Sequence, residues 1–245
     1  MDDLEVVTLG RAGPDGGRAH EAVLDEFHRG IYWDAFAAQQ EPLAVWKRAL
    51  WHGDGAFELT IRLAGRALGD PARRELLGGI AYERYPRSGC GLITYMVIAP
   101  AARRRGLGRR LQDEAARALF ATGAPAVFGE VNDPRRRGAG VDEPAVDMWR
   151  RLERNQAWGA RVVDTPYVQP ALAPGLARDH GLCLIALSGG QPLPAHMAGA
   201  IVRDFVVELY ETTEGGAPDP ALLAAIPERV ALVELRRDAP GEPAR

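Results

Sequence analysis

The stretch Met96-Val97-Ile98-Ala99-Pro100-Ala101-Ala102-Arg103-Arg104-Arg105-Gly106-Leu107-Gly108-Arg109-Arg110-Leu111 decides the reading of this chain. An apolar run stops at a proline, a loop of arginines and glycines follows, and apolar residues return at helical spacing as Leu107, Leu111, Ala115, Ala118 and Leu119. The pattern predicts a strand, a turn and a helix from Gly106 to Thr122. Gly106 and Gly108 allow a ligand close to the backbone, and the first amides of the helix lack partners within it. They face outward as anion donors, with the helix dipole behind them. Such a site suits a pyrophosphate.

On the N-terminal side, Leu77–Tyr82 and Gly91–Ile98 flank the turn-rich Tyr85-Pro86-Arg87-Ser88-Gly89 and read as an antiparallel hairpin or meander. Phe57–Leu63 alternates with a period of two, as a half-buried strand does, and Leu4–Leu9 is an opening strand. Between them Val23, Phe27, Ile31 and Phe36 recur at helical spacing from His20 to Gln40, and Pro42 begins a further helix to Leu50. On the C-terminal side, Pro125–Val131 follows the helix closely enough to be a parallel crossover strand. Arg135-Arg136-Arg137-Gly138-Ala139-Gly140 is a loop, Ala145–Ala157 a helix, and Arg161–Asp164 and Leu182–Leu187 are strands. After Pro192 come a helix over Ala195–Glu211, a short helix over Pro220–Ala225 and a strand over Val230–Leu235. The expected organisation is a domain over 1–190 with an extension over 191–245 packed on the same core.

Composition bounds what this chain can be. Its 245 residues are 47% hydrophobic and 26% charged, as in a globular chain with its own core. A net charge of -3 gives no global case for a nucleic-acid or polybasic membrane protein, so neither nucleic acid nor membrane is an expected partner. The opening Met1-Asp2-Asp3-Leu4-Glu5 lacks the apolar core of a signal peptide, and Cys90 and Cys183 form no close pair. A reducing cytoplasm is the expected location. The five histidines, His20, His28, His52, His180 and His196, lack ligand spacing, so no metal is expected. Lys47 is the only lysine, which makes arginine positions more informative than arginine counts.

Other uses of the loop fit less well. A P-loop needs Gly-Lys-Ser/Thr, and the lysine is elsewhere; a Rossmann fingerprint needs a third glycine where Leu111 stands. A nucleic-acid patch would interleave aromatics among the arginines, and none occurs. A solvated basic face would leave unexplained why the glycines fall where strand becomes helix.

Arg103-Arg104-Arg105-Gly106-Leu107-Gly108, led by Ile98-Ala99-Pro100, resembles motif A of the GNAT superfamily of N-acetyltransferases: Arg or Gln, two residues, Gly, one residue, Gly or Ala. The order of elements from Leu4 to Leu187 is similar to that superfamily's α/β fold, a mixed sheet of about seven strands flanked by helices. The resemblance implies an N-acyltransferase, with acetyl-CoA as donor and a primary amine as acceptor attacking directly in a ternary complex. Loop residues Arg104, Arg105, Gly106, Leu107, Gly108 and Arg109 would hold the pyrophosphate with Arg103 adding charge. Backbone groups of Met96, Val97 and Ile98, on a strand splayed from the next near Glu130, would receive the pantetheine arm, and the amide of Val97 or Ile98 would stabilise the oxyanion.

Many members place a tyrosine acid four residues before the glycine ending the second helix. Here Arg154-Asn155-Gln156-Ala157-Trp158-Gly159 puts Asn155 there, which cannot protonate a thiolate. A non-catalytic acyl-CoA-binding or sensing protein is therefore the alternative. Tyr167 is the candidate replacement acid, against an interfacial aromatic with a bonded hydroxyl. Glu130 is the candidate base, against a structural carboxylate. Asn132-Asp133-Pro134 reads as a turn, and Tyr82 and Tyr95 as core or as lining of an acceptor pocket. Tyr32, Trp33, Asp34, Trp46 and Trp51 could make an apolar acceptor cleft with an acidic group, and amphipathic packing explains them equally. The C-terminal helix and strand are candidate elements of a homodimer.

Overall fold

The structure, a computed structural model, describes residues 3–10, 14–36, 41–53, 55–136, 145–173 and 175–237. Two compact units make up the chain, Met1–Val127 and Phe128–Arg245.

In the first unit, β1 (Glu5–Gly10) leads through a 3-10 turn at Pro14–His20 into α1 (Glu21–Phe27), a π-helical turn at His28–Tyr32 and α2 (Trp33–Ala35). The helical period expected over 20–40 is thus realised in pieces, with Gly30, a weak helix former, inside the π turn. There follow α3 (Leu43–His52), β2 (Glu58–Arg66), β3 (Glu75–Arg84), β4 (Gly91–Ile98) and α4 (Leu107–Ala121). Strands β1 to β4 pair in order, each antiparallel to the next. Leu59, Ile61 and Leu63 of β2 point into a core with Val23, Leu24 and Phe27 of α1 and Trp46 and Leu50 of α3, which is what the alternation of β2 and the helical spacing of α1 dictate. Midway along β4 the register slips: Ala81 faces Tyr95 while Tyr82 faces Ile93. Thr94 is the extra residue, and its hydroxyl donates to the Ala81 carbonyl at 3.2 Å. The bulge bends β4 immediately before Tyr95–Ile98.

The second unit takes β5 (Val127–Asn132) from its second residue onward, then α5 (Ala145–Ala157), β6 (Arg161–Val163), β7 (Leu182–Ala186), β8 (His196–Ala198), α6 (Gly199–Glu214), α7 (Pro220–Ala224) and β9 (Arg229–Val233). Its strands pair antiparallel in the order β5, β7, β6, β9, β8. The architecture is the expected α/β one, strands flanked by helices, with nine strands rather than about seven among the described residues. Residues after 191 are woven into this unit, since β9 pairs with β6 and Phe205 of α6 packs on Phe128 with ring centroids 4.7 Å apart.

The start of α6 also differs from expectation. The helix expected from Ala195 begins only at Gly199, because His196–Ala198 pairs with β9 as a short edge strand. Gly199 donates its N–H to the Glu228 carbonyl at 2.6 Å, and a Cβ there would lie 1.8 Å from the Pro227 oxygen, so only glycine can turn the strand into the helix. Among the described residues no helix is long and apolar enough to cross a membrane.

Candidate functional site

The first unit carries the arginine and glycine loop. After β4, Ala99 donates to the Leu77 carbonyl at 2.9 Å, Pro100–Ala102 make a 3-10 turn, and Arg103 is extended. Arg104 (φ 62°) and Gly106 (φ 81°) both take the left-handed conformation, two residues apart. At Gly106 that conformation caps α4 with nothing within 4 Å of where a Cβ would be, so the glycine serves the backbone path. The first helical bond is donated by Arg110 to the Gly106 carbonyl at 3.0 Å. Among the described residues the amides from Arg104 to Arg109 donate to no protein acceptor.

Six open amides around left-handed turns, at a helix N-terminus, are an arrangement whose dipoles suit an anion. The guanidinium of Arg103 folds back to donate to the Ile98 carbonyl at 3.0 Å, clipping the loop to the end of β4. Arg109 and Arg110 lean along α4 toward Asp113 (3.5 Å) and Glu114 (2.9 Å). Arg104 and Arg105 are exposed with no carboxylate partner among the described residues. The loop residues expected to act together are therefore contiguous in space, and Met96, Val97 and Ile98 lead straight into them, facing Ile80, Gly79 and Gly78 of β3.

The same unit gathers an aromatic cluster of His28, Tyr32, Phe36, Trp46 and Tyr95, with ring centroids 4.4–5.8 Å apart. It closes on Glu41. The Glu41 N–H donates to the Tyr32 hydroxyl (3.0 Å), His28 Nε2 donates to the Glu41 carbonyl (2.7 Å), and Trp46 Nε1 donates to its carboxylate (2.8 Å). Burial, chiefly, raises the proton affinity of the Tyr95 phenol, whose hydroxyl bonds that of Tyr32. Of the residues expected to form an acceptor cleft, Tyr32 and Trp46 are here and fully buried, whereas Trp33 and Asp34 are exposed and Trp51 lies 5.0 Å beneath the Arg18 guanidinium. The acid of this cluster is Glu41, a single carboxylate in no motif, marked in the sequence only by falling between two aromatic-rich helical stretches.

The second unit brings both candidate catalytic residues together. Tyr167 donates its hydroxyl proton to Oε1 of Glu130, and Gln169 Nε2 donates to Oε2 at 2.9 Å. Glu130 is half-buried on β5, and Tyr167 is buried. Burial pushes the Glu130 carboxyl above the usual carboxylate range; the bonds from Tyr167 and Gln169 pull it back in part, and the negative Asp179 adds to the rise. Such a group is a stronger base than an exposed glutamate. Nothing in the sequence marks Gln169, since a glutamine in a loop carries no signal of its own.

Neighbouring candidates are structural. Asp133 is buried and caps its turn: Arg135 donates its backbone N–H (3.0 Å) and guanidinium (2.8 and 2.9 Å) to the carboxylate, and Arg136 lies 3.5 Å away. Burial alone would raise its proton affinity, but the Arg135 bonds and both positive charges outweigh it and hold the carboxyl low. Arg137 lies outside the described residues. Asn155 is buried and spends its side-chain N–H on the Arg151 carbonyl at 2.9 Å, as a helix-end residue. Cys183 is buried, and burial pushes its thiol up to about 12, which disfavours the thiolate.

Residues 26–140 match the model of the Acetyltransferase (GNAT) family. No curated protein matches the chain. Among solved structures, a protein described as a GNAT-family acetyltransferase from Bacteroides thetaiotaomicron is 18% identical and aligns with a TM-score of 0.48 over 71% of this chain and 84% of that one. A Bacillus subtilis acetyltransferase in complex with CoA is 14% identical over 75% and 97%, with a TM-score of 0.41. An aminoglycoside 6'-N-acetyltransferase complexed with coenzyme A is 14% identical over 78% and 99%, with a TM-score of 0.45. Residues 26–140 are thus similar to a GNAT-family acetyltransferase domain, and the arginine and glycine loop lies within them.

Proposed function

We propose that this acetyltransferase takes its acetyl group from acetyl-CoA and passes it to a primary amine in a ternary complex. The observation that carries the reading is the run of open amides from Arg104 to Arg109, directly after β4 and inside the segment that matches the family. Those amides would hold the pyrophosphate, with the charge of Arg104 and Arg105 in reach of it. Met96–Ile98 would pair with the pantetheine arm.

In the reaction so read, the acceptor ammonium loses a proton toward Glu130, directly or through water, and the neutral nitrogen attacks the thioester carbonyl. The amide of Val97 or Ile98 stabilises the oxyanion, and collapse breaks the carbon–sulfur bond. The nitrogen sheds its second proton and the thiolate takes one, from Tyr167 or solvent, so that one proton is released overall. Two neutral donors on Glu130 orient it while leaving it basic, which favours the base role over a purely structural carboxylate. Most of the acceleration comes from holding two substrates together. On the acceptor side, the Glu41 carboxylate with its aromatic neighbours suits an amine with an apolar body.

Calorimetric titration with acetyl-CoA, free CoA and a longer acyl-CoA, followed by an amine screen with thiol detection, tests the reading. Binding of all three with thiol release on adding an amine is the expected result. No binding of any would overturn it.

A further inference from the structure

We propose that Gln169 is a positioning residue for Glu130, and that helix α6 holds Gln169 in place. The proposal rests on the assignment of Glu130 as the base. Tyr167 and Gln169 lie on alternate residues of one extended segment, so both side chains reach the same carboxylate, one on each oxygen.

That segment is fixed at nearly every peptide. The Tyr167 carbonyl accepts from Arg136 (3.3 Å), the Val168 carbonyl from the Tyr210 hydroxyl (2.8 Å), and Gln169 exchanges both backbone bonds with Asp179 (2.9 and 3.1 Å). Ala171 donates its N–H to Glu214 at 2.6 Å. Tyr210 and Glu214 are four residues apart on α6 and so project from one face. Arg178, on the returning strand of the same loop, grips both oxygens of Glu214 at 2.6–3.2 Å and lies 4.7 Å over the Tyr210 ring. One face of α6 therefore clamps both arms of the loop that holds Glu130.

The chemistry of the donors is as telling as their placement. Within the second unit the charged or titratable groups acting on Glu130 are Tyr167, Asp179 and Tyr210, and no cation pairs with it among the described residues. An arginine at position 169 would orient the carboxylate equally well but would hold it ionised and weaken it as a base. A neutral amide fixes its orientation and leaves its proton affinity high.

The test is Gln169→Met, which keeps the length and removes the donor. Glutamate carboxyl carbons are labelled with 13C, the Glu130 signal is assigned by its loss in Glu130→Gln, and its pH titration is compared with the pH profile of kcat. Loss of one bond to the charged form should raise the Glu130 proton affinity about tenfold. The acidic limb of kcat should move up with it, activity should recover on raising pH, and KM for acetyl-CoA should stay within about twofold of the parent. Tyr210→Phe, which removes only the bond to Val168, should shift the titration in the same direction by less, and decides the matter if Gln169→Met does not fold. Titrations superimposable on the parent's would overturn the proposal. A parent that titrates as described and binds acetyl-CoA but releases no thiol with any amine would instead overturn the transfer reading and leave the positioning geometry standing.

Discussion

At the scale of single residues, Glu130 combines two demands that oppose each other. The proposed base must be ionised, yet this carboxylate sits where burial favours its protonated form. Its folded-state proton affinity lies above that of the unfolded chain, so between the two the folded state binds the extra proton, and stability falls as pH rises through that window. Glu130→Gln keeps the shape and removes the charge. We expect kcat to fall about a hundredfold with acetyl-CoA affinity unchanged, and the melting temperature at pH 8 to rise by about 2–4 °C while changing little at pH 4. Steady-state kinetics, calorimetry and thermal melts at the two pH values check this, and equal turnover in the variant would remove Glu130 from the reaction. Gly108 gives the complementary case on the coenzyme side. It lies in the first turn of α4 among the open amides, so Gly108→Asp would set a side chain and a negative charge where the proposed function places the pyrophosphate. Acetyl-CoA affinity should drop more than tenfold with little change in melting temperature. Glu130 and Tyr167 could each be read from the sequence by residue type and place, but their contact could not: 37 positions separate them, and the loop that joins them is set by bonds to Arg136, Tyr210 and Asp179 rather than by any period.

At the scale of elements, legibility followed the clarity of the period. Gly91–Ile98 and Ala145–Ala157 were bounded to the residue, because a turn with glycine fixes one and a strong helical period the other. Around Ala195 no period helps: three residues of an edge strand fit a helical pattern as well as an extended one, and only pairing with β9 decides. The bulge at Thr94 was likewise invisible, since alternation survives one extra residue when the strand is apolar on both faces. The junction between β8 and α6 makes a sharp prediction. Gly199→Ala places a methyl on the Pro227 carbonyl oxygen, which is backbone and cannot rotate away. Either β9 or the first turn of α6 must shift, at a cost of about 2–4 kcal/mol. Urea unfolding should show a lower midpoint, and because α6 carries Tyr210 and Glu214, kcat should fall more than acetyl-CoA affinity. A variant as stable as the parent would mean that the turn has room that the geometry denies it.

At the scale of the whole molecule, the question is whether residues 191–245 are an appendage or part of the core. Their contribution is structural at three points of the second unit. β9 supplies the neighbour of β6, α6 buries Val202, Phe205, Val206 and Leu209, and Tyr210 and Glu214 tie down the segment that reaches Glu130. Burying four apolar side chains of this size is worth about 1.5–3 kcal/mol each, which together approaches the whole stability of an ordinary domain. A chain ending at residue 190 should therefore lose the second unit as a cooperative structure, not merely its last elements. We expect such a chain to be insoluble or to melt without a sharp transition by circular dichroism, and to show no acyl transfer. The loop from Arg104 to Arg109 belongs to the first unit, whose strands pair among themselves, so under the proposed function acetyl-CoA affinity should survive truncation better than transfer does. A truncated chain that melts cooperatively and turns over like the parent would instead make the C-terminal part dispensable, and with it the role of α6 in holding the proposed catalytic pair.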